Sequence, residues 1–289
     1  MESRKKILIV GKNSYIGNHI DKWLSKHGYQ VSQLDVLNES WQSYDYTPFD
    51  TIIHVAGIVH QPKCRDWNLF KKVNAEMPVA IAKIAKQQGV KQYVYFSTMA
   101  VYGVDKKLQL NEIGKHTPLN AQTLYGKSKL LAEEGLTELQ ESSFHVAIVR
   151  PPSVYGKGSR GNYIEQMASV VRYIPIIPEA FTDVKHGFIY IDNLCELVRF
   201  VVEGDLKGFF HPQDERTLSA NELWKIMAPI IGKKPRHSRF LGLFVKMLYF
   251  CSIVRKVYGG VEYAKSLTTI EGGNYCLVSI EEGIRRTMS

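Results

Sequence analysis

Short apolar runs alternate with helical patterns through the first 150 residues of this 289-residue chain. That alternation predicts an α/β fold, a doubly wound parallel sheet with helices on both faces. Two further features agree. A glycine turn follows the first apolar run directly, and an acidic residue closes the second. Beyond residue 155 the elements shorten and Gly and Pro become more frequent. The expected organisation is therefore a larger domain over residues 1–155 and a smaller lobe over 156–289. The lobe closes over the first domain and can return some elements to it.

The elements read in order. Lys6-Ile-Leu-Ile-Val10 is a strand, Tyr15 to His27 a helix ended by Gly28, and Gln30 to Val36 a second strand. Thr51 to Ala56 is a third strand. Asp66 to Gln88 is a long helical pattern, interrupted by Pro78 and closed by Gly89. Gln92 to Ser97 is a strand, Leu124 to Leu139 a helix, and His145 to Val149 a strand stopped by Pro151 and Pro152. In the second part, helices are expected at Asp192–Glu203, Ser219–Ile231 and Phe240–Tyr258. Short strands are expected near Phe188–Ile191 and Gly208–His211.

Composition narrows the class. With 45% hydrophobic and 22% charged residues the chain can bury a sizeable core. It has no apolar run of 18 residues and no signal-peptide pattern after Met1, so a cytoplasmic location is expected. Cys64, Cys195, Cys251 and Cys276 are scattered. Neither a metal site nor a disulfide framework is expected from them. The net charge is +9, but no nucleic-acid-binding signature accompanies it, and nucleic acid is not an expected partner. One stretch is asymmetric. Residues 223–261 hold eight Lys or Arg and no acid, together with the apolar run Phe240 to Phe250. Two readings fit: a membrane-surface contact, or a packed helix with a solvated basic face, which is the plainer expectation.

Gly11-Lys-Asn-Ser-Tyr-Ile-Gly17 follows the first strand and opens the first helix. Such a turn lets backbone approach a pyrophosphate, and the helix N-terminus attracts the anion. Ser14 stands where a middle glycine is usual. Asp35, at the end of the second strand, is placed to hold an adenosine ribose. A carboxylate there repels a 2′-phosphate, so NAD is expected over NADP. This makes the first domain Rossmann-type. Gly156-Lys-Gly-Ser-Arg-Gly161 matches the same pattern literally, but it follows a proline break with no βαβ unit behind it and reads as a loop.

Tyr125 and Lys129 lie four apart near the start of a helix, on one face. An ammonium beside a phenol favours the phenolate and lowers its pKa, which makes a proton-transfer device. The chain has 16 Tyr, and chance supplies about one such pair. A second match, Tyr102 and Lys106, exists.

Taken together these segments resemble the extended short-chain dehydrogenase/reductase family, in its nucleotide-sugar epimerase/dehydratase branch. The resemblance spans nearly the whole chain. It rests on Gly11 to Gly17, His54-Val-Ala-Gly57, Asn74, Phe96-Ser-Thr-Met-Ala-Val-Tyr-Gly103, Tyr125 to Lys129, Arg150-Pro-Pro-Ser-Val-Tyr-Gly156 and Phe188 to Asn193, in that order. It implies a catalytic set of Thr98, Tyr125 and Lys129. It implies NAD contacts from Gly11, Asn13, Ser14, Tyr15, Ile16, Gly17, Asp35, Val55, Ala56, Gly57, Asn74 and Pro152. It sets Tyr102 at a strand end, with Lys106 in the loop beyond.

The departures from the family pattern also inform. Dehydratases of the branch carry Asp-Glu after the catalytic Thr, whereas this chain has Met99 and Ala100. A 4,6-dehydratase is thereby disfavoured. What the resemblance leaves is a 4-epimerase acting on a UDP-hexose or UDP-N-acetylhexosamine for surface polysaccharide, or a 4-keto-sugar reductase. Asp35 tilts the reading to the epimerase. A dinucleotide sensor without catalysis would be expected to lack the Thr/Tyr/Lys set. The usual diphosphate-binding Arg is replaced by Lys185-His186, and Ser153 stands for a common Asn. Ser153, Arg160, Asn162, Lys185 and His186 are the candidate substrate residues. By analogy, a homodimer would pair through Asp66–Gln88 and Leu124–Leu139.

Overall fold

The computed structural model describes residues 5–59, 66–103, 107–109, 111–159, 163–174, 176–270 and 273–289. Two compact units are distinguished. The first holds residues 1–103, 118–151 and 194–212; the second holds 104–117, 152–193 and 213–289.

The first unit is built on six strands: β1 (Lys6–Val10), β2 (Gln30–Leu34), β3 (Thr51–His54), β4 (Gln92–Phe96), β5 (His145–Val149) and β6 (Gly208–Phe210). Their order is β6-β5-β4-β3-β1-β2, and every pairing is parallel. The continuous apolar runs explain the arrangement. Ile7 to Val10 are all buried, as is the whole of β4. Strands that bury both faces need helices on each side. The chain leaves β1 for β2 on one side and returns to β3 on the other. The carboxyl end of β1 is thus a topological switch point, where open α/β sheets bind ligands. Backbone ties close that end: the Val55 and Ala56 amides both donate to Val10 O at 3.0 Å.

Four helices of this unit matter for the site: α1 (Tyr15–Lys26), α2 (Trp67–Lys71), α3 (Met77–Gln87) and α4 (Leu124–Thr137). The long pattern expected over 66–88 is divided by a π-helical turn at Lys72–Glu76. Pro78 explains it. Proline has no amide for the carbonyl four residues back and crowds it. That carbonyl is Asn74 O, which instead accepts from the Tyr95 hydroxyl at 2.8 Å.

The second unit is assembled from short pieces. Strand Ser153–Tyr155 pairs with Phe188–Tyr190, Ile176–Pro178 with Arg236–Ser238, and Glu112–Ile113 with Glu262–Tyr263. Buried Asp214 gathers the Tyr155 hydroxyl (2.8 Å), the Tyr190 amide (3.1 Å) and the Asn193 amide group (2.8 Å). Burial pushes its carboxyl up to about 6.

Three expectations are corrected. The helix expected over 240–258 is two helices, Arg239–Met247 and Ser252–Tyr258, separated by a turn. Its apolar stripe is exposed instead of packed, because the opposite side is the one held against the unit. Gly242 is buried there, and a Cβ on it would lie 2.1 Å from Glu179 O. Tyr102 ends a 3-10 turn, Met99–Tyr102, and not a strand. Lys106, Cys64, Arg160 and Asn162 lie outside the described residues.

Candidate active site

The glycine turn folds as its residues dictate. Gly11 has φ +124°, and a Cβ there would meet Ala56 N at 2.8 Å, so a side chain is excluded twice over. Asn13 takes a left-handed conformation (φ +64°). Its amide donates to Gln33 Oε1 at 3.3 Å. Ser14 caps α1, its hydroxyl accepting from the Gly17 amide at 3.1 Å. Ser14 therefore does local work where the family pattern has glycine. Tyr15 and Ile16 form the first turn of α1, so the helix N-terminus faces out of the β1 end. Asp35 follows β2 directly, and its Oδ1 accepts from the Leu37 amide at 2.9 Å.

Behind this loop, Gly57, Asn74 and Lys129 converge. A Cβ on Gly57 would lie 3.0 Å from Asn74 Oδ1 and 3.3 Å from Lys129 Nζ. Asn74 is wholly buried and fully engaged. Its Oδ1 accepts from Ile58 N at 2.7 Å, and its Nδ2 donates to Ile58 O at 2.9 Å and Ser128 Oγ at 3.1 Å. Asn74 thus fixes the segment after β3 to α4.

The Tyr/Lys helix lies against the Thr98 segment. Thr123 caps α4 by accepting from the Gly126 amide at 3.0 Å. Gly126 is required next to Tyr125, since a Cβ would stand 2.8 Å from Ala100 O. Thr98 caps its own 3-10 turn, accepting from Ala100 N at 3.2 Å. Its side chain also acts on the Tyr125 phenol, opposing the rise that burial causes. Lys129 donates to Phe96 O at 2.7 Å and lies 4.6 Å from the Tyr95 ring centre. The structure thus brings Thr98 to Tyr125, and Lys129 to the Gly57–Asn74 segment.

The electrostatics differ from the sequence expectation. An ammonium at Lys129 was expected to pull the Tyr125 phenol down. Burial instead pushes Tyr125 up to about 12, opposed by the Thr98 hydrogen bond. Burial also pushes Lys129 down to about 7, opposed by the negative charge of Glu133. Desolvation disfavours the charged form of each and is the largest cause of both shifts.

A buried network beneath α4 is not legible in the sequence. Glu133, one turn after Lys129, accepts from Arg150 Nε at 3.0 Å, from Arg150 Nη2 at 2.5 Å and from the Ser97 hydroxyl. Arg150 Nη1 donates to the Tyr102 hydroxyl at 2.8 Å, and that oxygen lies 2.8 Å from His211 Nε2. The spacing of Lys129 and Glu133 on one helix face was the available signal. Its partner Arg150, just past β5, had none.

The candidate substrate residues belong to the second unit. Ser153 pairs with Phe188, two positions after His186. Lys185 forms an ion pair with Glu222 at 2.5 Å; against burial, which raises it, this contact and the Ser219 amide and hydroxyl hold that carboxyl at about 2. His186 stacks on Tyr163 with ring centres 4.7 Å apart. Pro152 also lies in this unit.

Comparison with known proteins bears on both units. The chain is similar to UDP-glucose 4-epimerase of Vibrio cholerae, with 26% identity over 98% of this chain and 94% of that protein. It is similar to the N-acetyl-alpha-D-glucosaminyl-diphospho-ditrans,octacis-undecaprenol 4-epimerase of Escherichia coli O157:H7, at 24% identity, covering 79% of this chain and 73% of that one. In fold it resembles the Thermus thermophilus UDP-glucose 4-epimerase complex with NAD, at TM-score 0.72 and 18% identity over 98% and 97% of the two chains. Residues 7–208 match the sequence profile of the NAD dependent epimerase/dehydratase family. The glycine turn, the Tyr/Lys helix and strands β2 to β5 of the parallel sheet all fall within that match, and the chain belongs to this family.

Proposed function

We propose that the protein is an NAD-dependent nucleotide-sugar 4-epimerase that works by transient oxidation at C4 of a UDP-linked hexose or N-acetylhexosamine. The single observation that carries this is the seating of the Tyr125/Lys129 helix on the Thr98 segment, with Lys129 donating to Phe96 O at 2.7 Å and Gly126 set against Ala100 O. The absence of acids at Met99 and Ala100 supports redox work at one carbinol carbon without elimination of water.

The first unit fits a dinucleotide. The Gly11 turn leaves no room for a side chain, and the α1 N-terminus opens beside it. Gly11 to Gly17 would hold the diphosphate, Asp35 the adenosine ribose, and Val55, Ala56, Gly57 and Asn74 the remaining face; Pro152 is a further proposed contact to the cofactor. NAD, when bound, supplies a hydride acceptor and a cationic ring. Lys129 would hydrogen-bond its ribose. Thr98 Oγ1 holds the sugar C4 hydroxyl. Tyr125 Oη takes the proton from that hydroxyl and later returns it. A phenol at about 12 stays protonated at neutral pH, so this role needs a cation brought beside it. Ser153, Arg160, Asn162, Lys185 and His186 are the proposed diphosphate and sugar contacts. Lys185 must then exchange its Glu222 partner for the substrate.

Further parts of the reading are a homodimer pairing through Asp66–Gln88 and Leu124–Leu139 and a cytoplasmic location. The test is incubation of the purified protein with UDP-sugars and no added cofactor. The reading expects epimers without net NADH release. Turnover restricted to a 4-keto sugar with added NAD(P)H would assign a reductase instead.

A further inference from the structure

We propose that residues 239–256 form a docking face for an anionic phospholipid surface. Helix Arg239–Met247 carries Phe240, Leu243, Phe244 and Met247, spaced as one helical stripe. Their side chains are 80, 63, 57 and 69% exposed. Stripes of this kind ordinarily face a core. Here the helix is pinned by its other side. Gly242 is buried against Glu179, and strand Arg236–Ser238 pairs with Ile176–Pro178 just before the helix starts. Val254 and Tyr258 anchor the following helix in the same way. The stripe therefore cannot turn inward. Phe250 in the turn and Ile253 in the next helix extend the exposed apolar surface.

Charge selects the occupant. Arg239, Lys246, Arg255 and Lys256 are all exposed, and no acid occurs between Leu223 and Val261. Glu179 pairs with Arg239 at 3.5 Å, yet that Arg side chain is 93% exposed. A second copy of this chain would bring the same cations against themselves. An anionic bilayer brings the opposite charge, and aromatic and aliphatic side chains enter its headgroup boundary. Each basic residue near such a surface strengthens binding by about fivefold at modest ionic strength. Among the described residues no helix is long and apolar enough to cross a membrane, so the contact lies in the interface plane.

Flotation of the full-length protein with vesicles tests this. One set is phosphatidylcholine alone; the other carries one part phosphatidylglycerol to three parts phosphatidylcholine. The expected result is at least tenfold more protein bound to the anionic set at low salt, with most of that gain lost at about 0.5 M salt. The Phe240→Asp/Phe244→Asp double variant and the Lys246→Glu/Lys256→Glu double variant should each lose tenfold or more. These positions are exposed, so melting temperature should hold. No binding to the anionic vesicles overturns the proposal. So does binding that the variants leave intact, or a concentration-dependent dimer abolished by the Phe substitutions without any vesicle binding. The measurement uses no sugar, so its outcome is separate from that of the catalytic reading.

Discussion

Lys129→Met should make the protein more stable while abolishing turnover. The ammonium sits wholly desolvated, donating to Phe96 O at 2.7 Å. Its pKa falls from 10.5 to about 7. At 1.36 kcal/mol per pH unit, that lowering corresponds to about 5 kcal/mol of destabilisation when the amine is charged. Methionine keeps most of the volume and removes the charge. Removing the donor to Phe96 O returns about 1–3 kcal/mol of that gain. The net advantage of the variant at pH 7 is about 3 kcal/mol. The sign with pH follows from linkage. Below pH 7 the folded and unfolded chains both carry the ammonium, and the wild type bears the whole cost. From pH 7 to 10.5 the unfolded chain binds the extra proton, so wild-type stability rises with pH. The advantage of the variant then shrinks by about 1.4 kcal/mol per pH unit and is near zero by about pH 9. Urea denaturation of both proteins at pH 7 and pH 9, without added NAD, reads this directly. A variant no more stable than wild type at pH 7, or a gap equal at both pH values, would refute the desolvation argument.

Other substitutions probe the same site. Gly11→Ala forces a side chain into φ +124° against Ala56 N and should abolish NAD binding measured by calorimetry, with about 1–2 kcal/mol of lost stability. Glu133→Gln leaves Arg150 buried with a neutral partner and should cost about 3–5 kcal/mol in urea denaturation; a loss under 1 kcal/mol would show that the pair is solvated. Thr98→Ala removes a partner of the Tyr125 hydroxyl and a turn cap, so kcat should fall by about 10²-fold or more, whereas Thr98→Ser should retain most activity.

Local features were legible and distant ones were not. The β1 run and the glycine turn each depend on residues a few positions apart. The Tyr125/Lys129 spacing alone was ambiguous, and its place on a helix distinguished it from Tyr102. The π turn required knowing that Tyr95 would take up the Asn74 carbonyl, a contact 21 positions away in sequence. Glu133 and Arg150 are 17 apart on different elements, so no pattern announced them. Periodicity found the stripe at Phe240 to Met247 but could not say which way it pointed. That direction is set by Gly242 against Glu179, 63 positions earlier by number. Spacing likewise reports proximity and not depth of burial, which is the largest cause of the Tyr125 and Lys129 shifts.

A UDP-hexose carrying deuterium at C4 tests the central claim most directly. If Tyr125 and Thr98 manage a reversible oxidation at that carbon, the label leaves and returns within one site. The 4-epimer formed in ordinary water should then keep its deuterium, and Tyr125→Phe should slow its appearance by about 10²–10⁴-fold. Epimer that has exchanged its C4 label for solvent hydrogen would contradict the account, as would full activity in Tyr125→Phe.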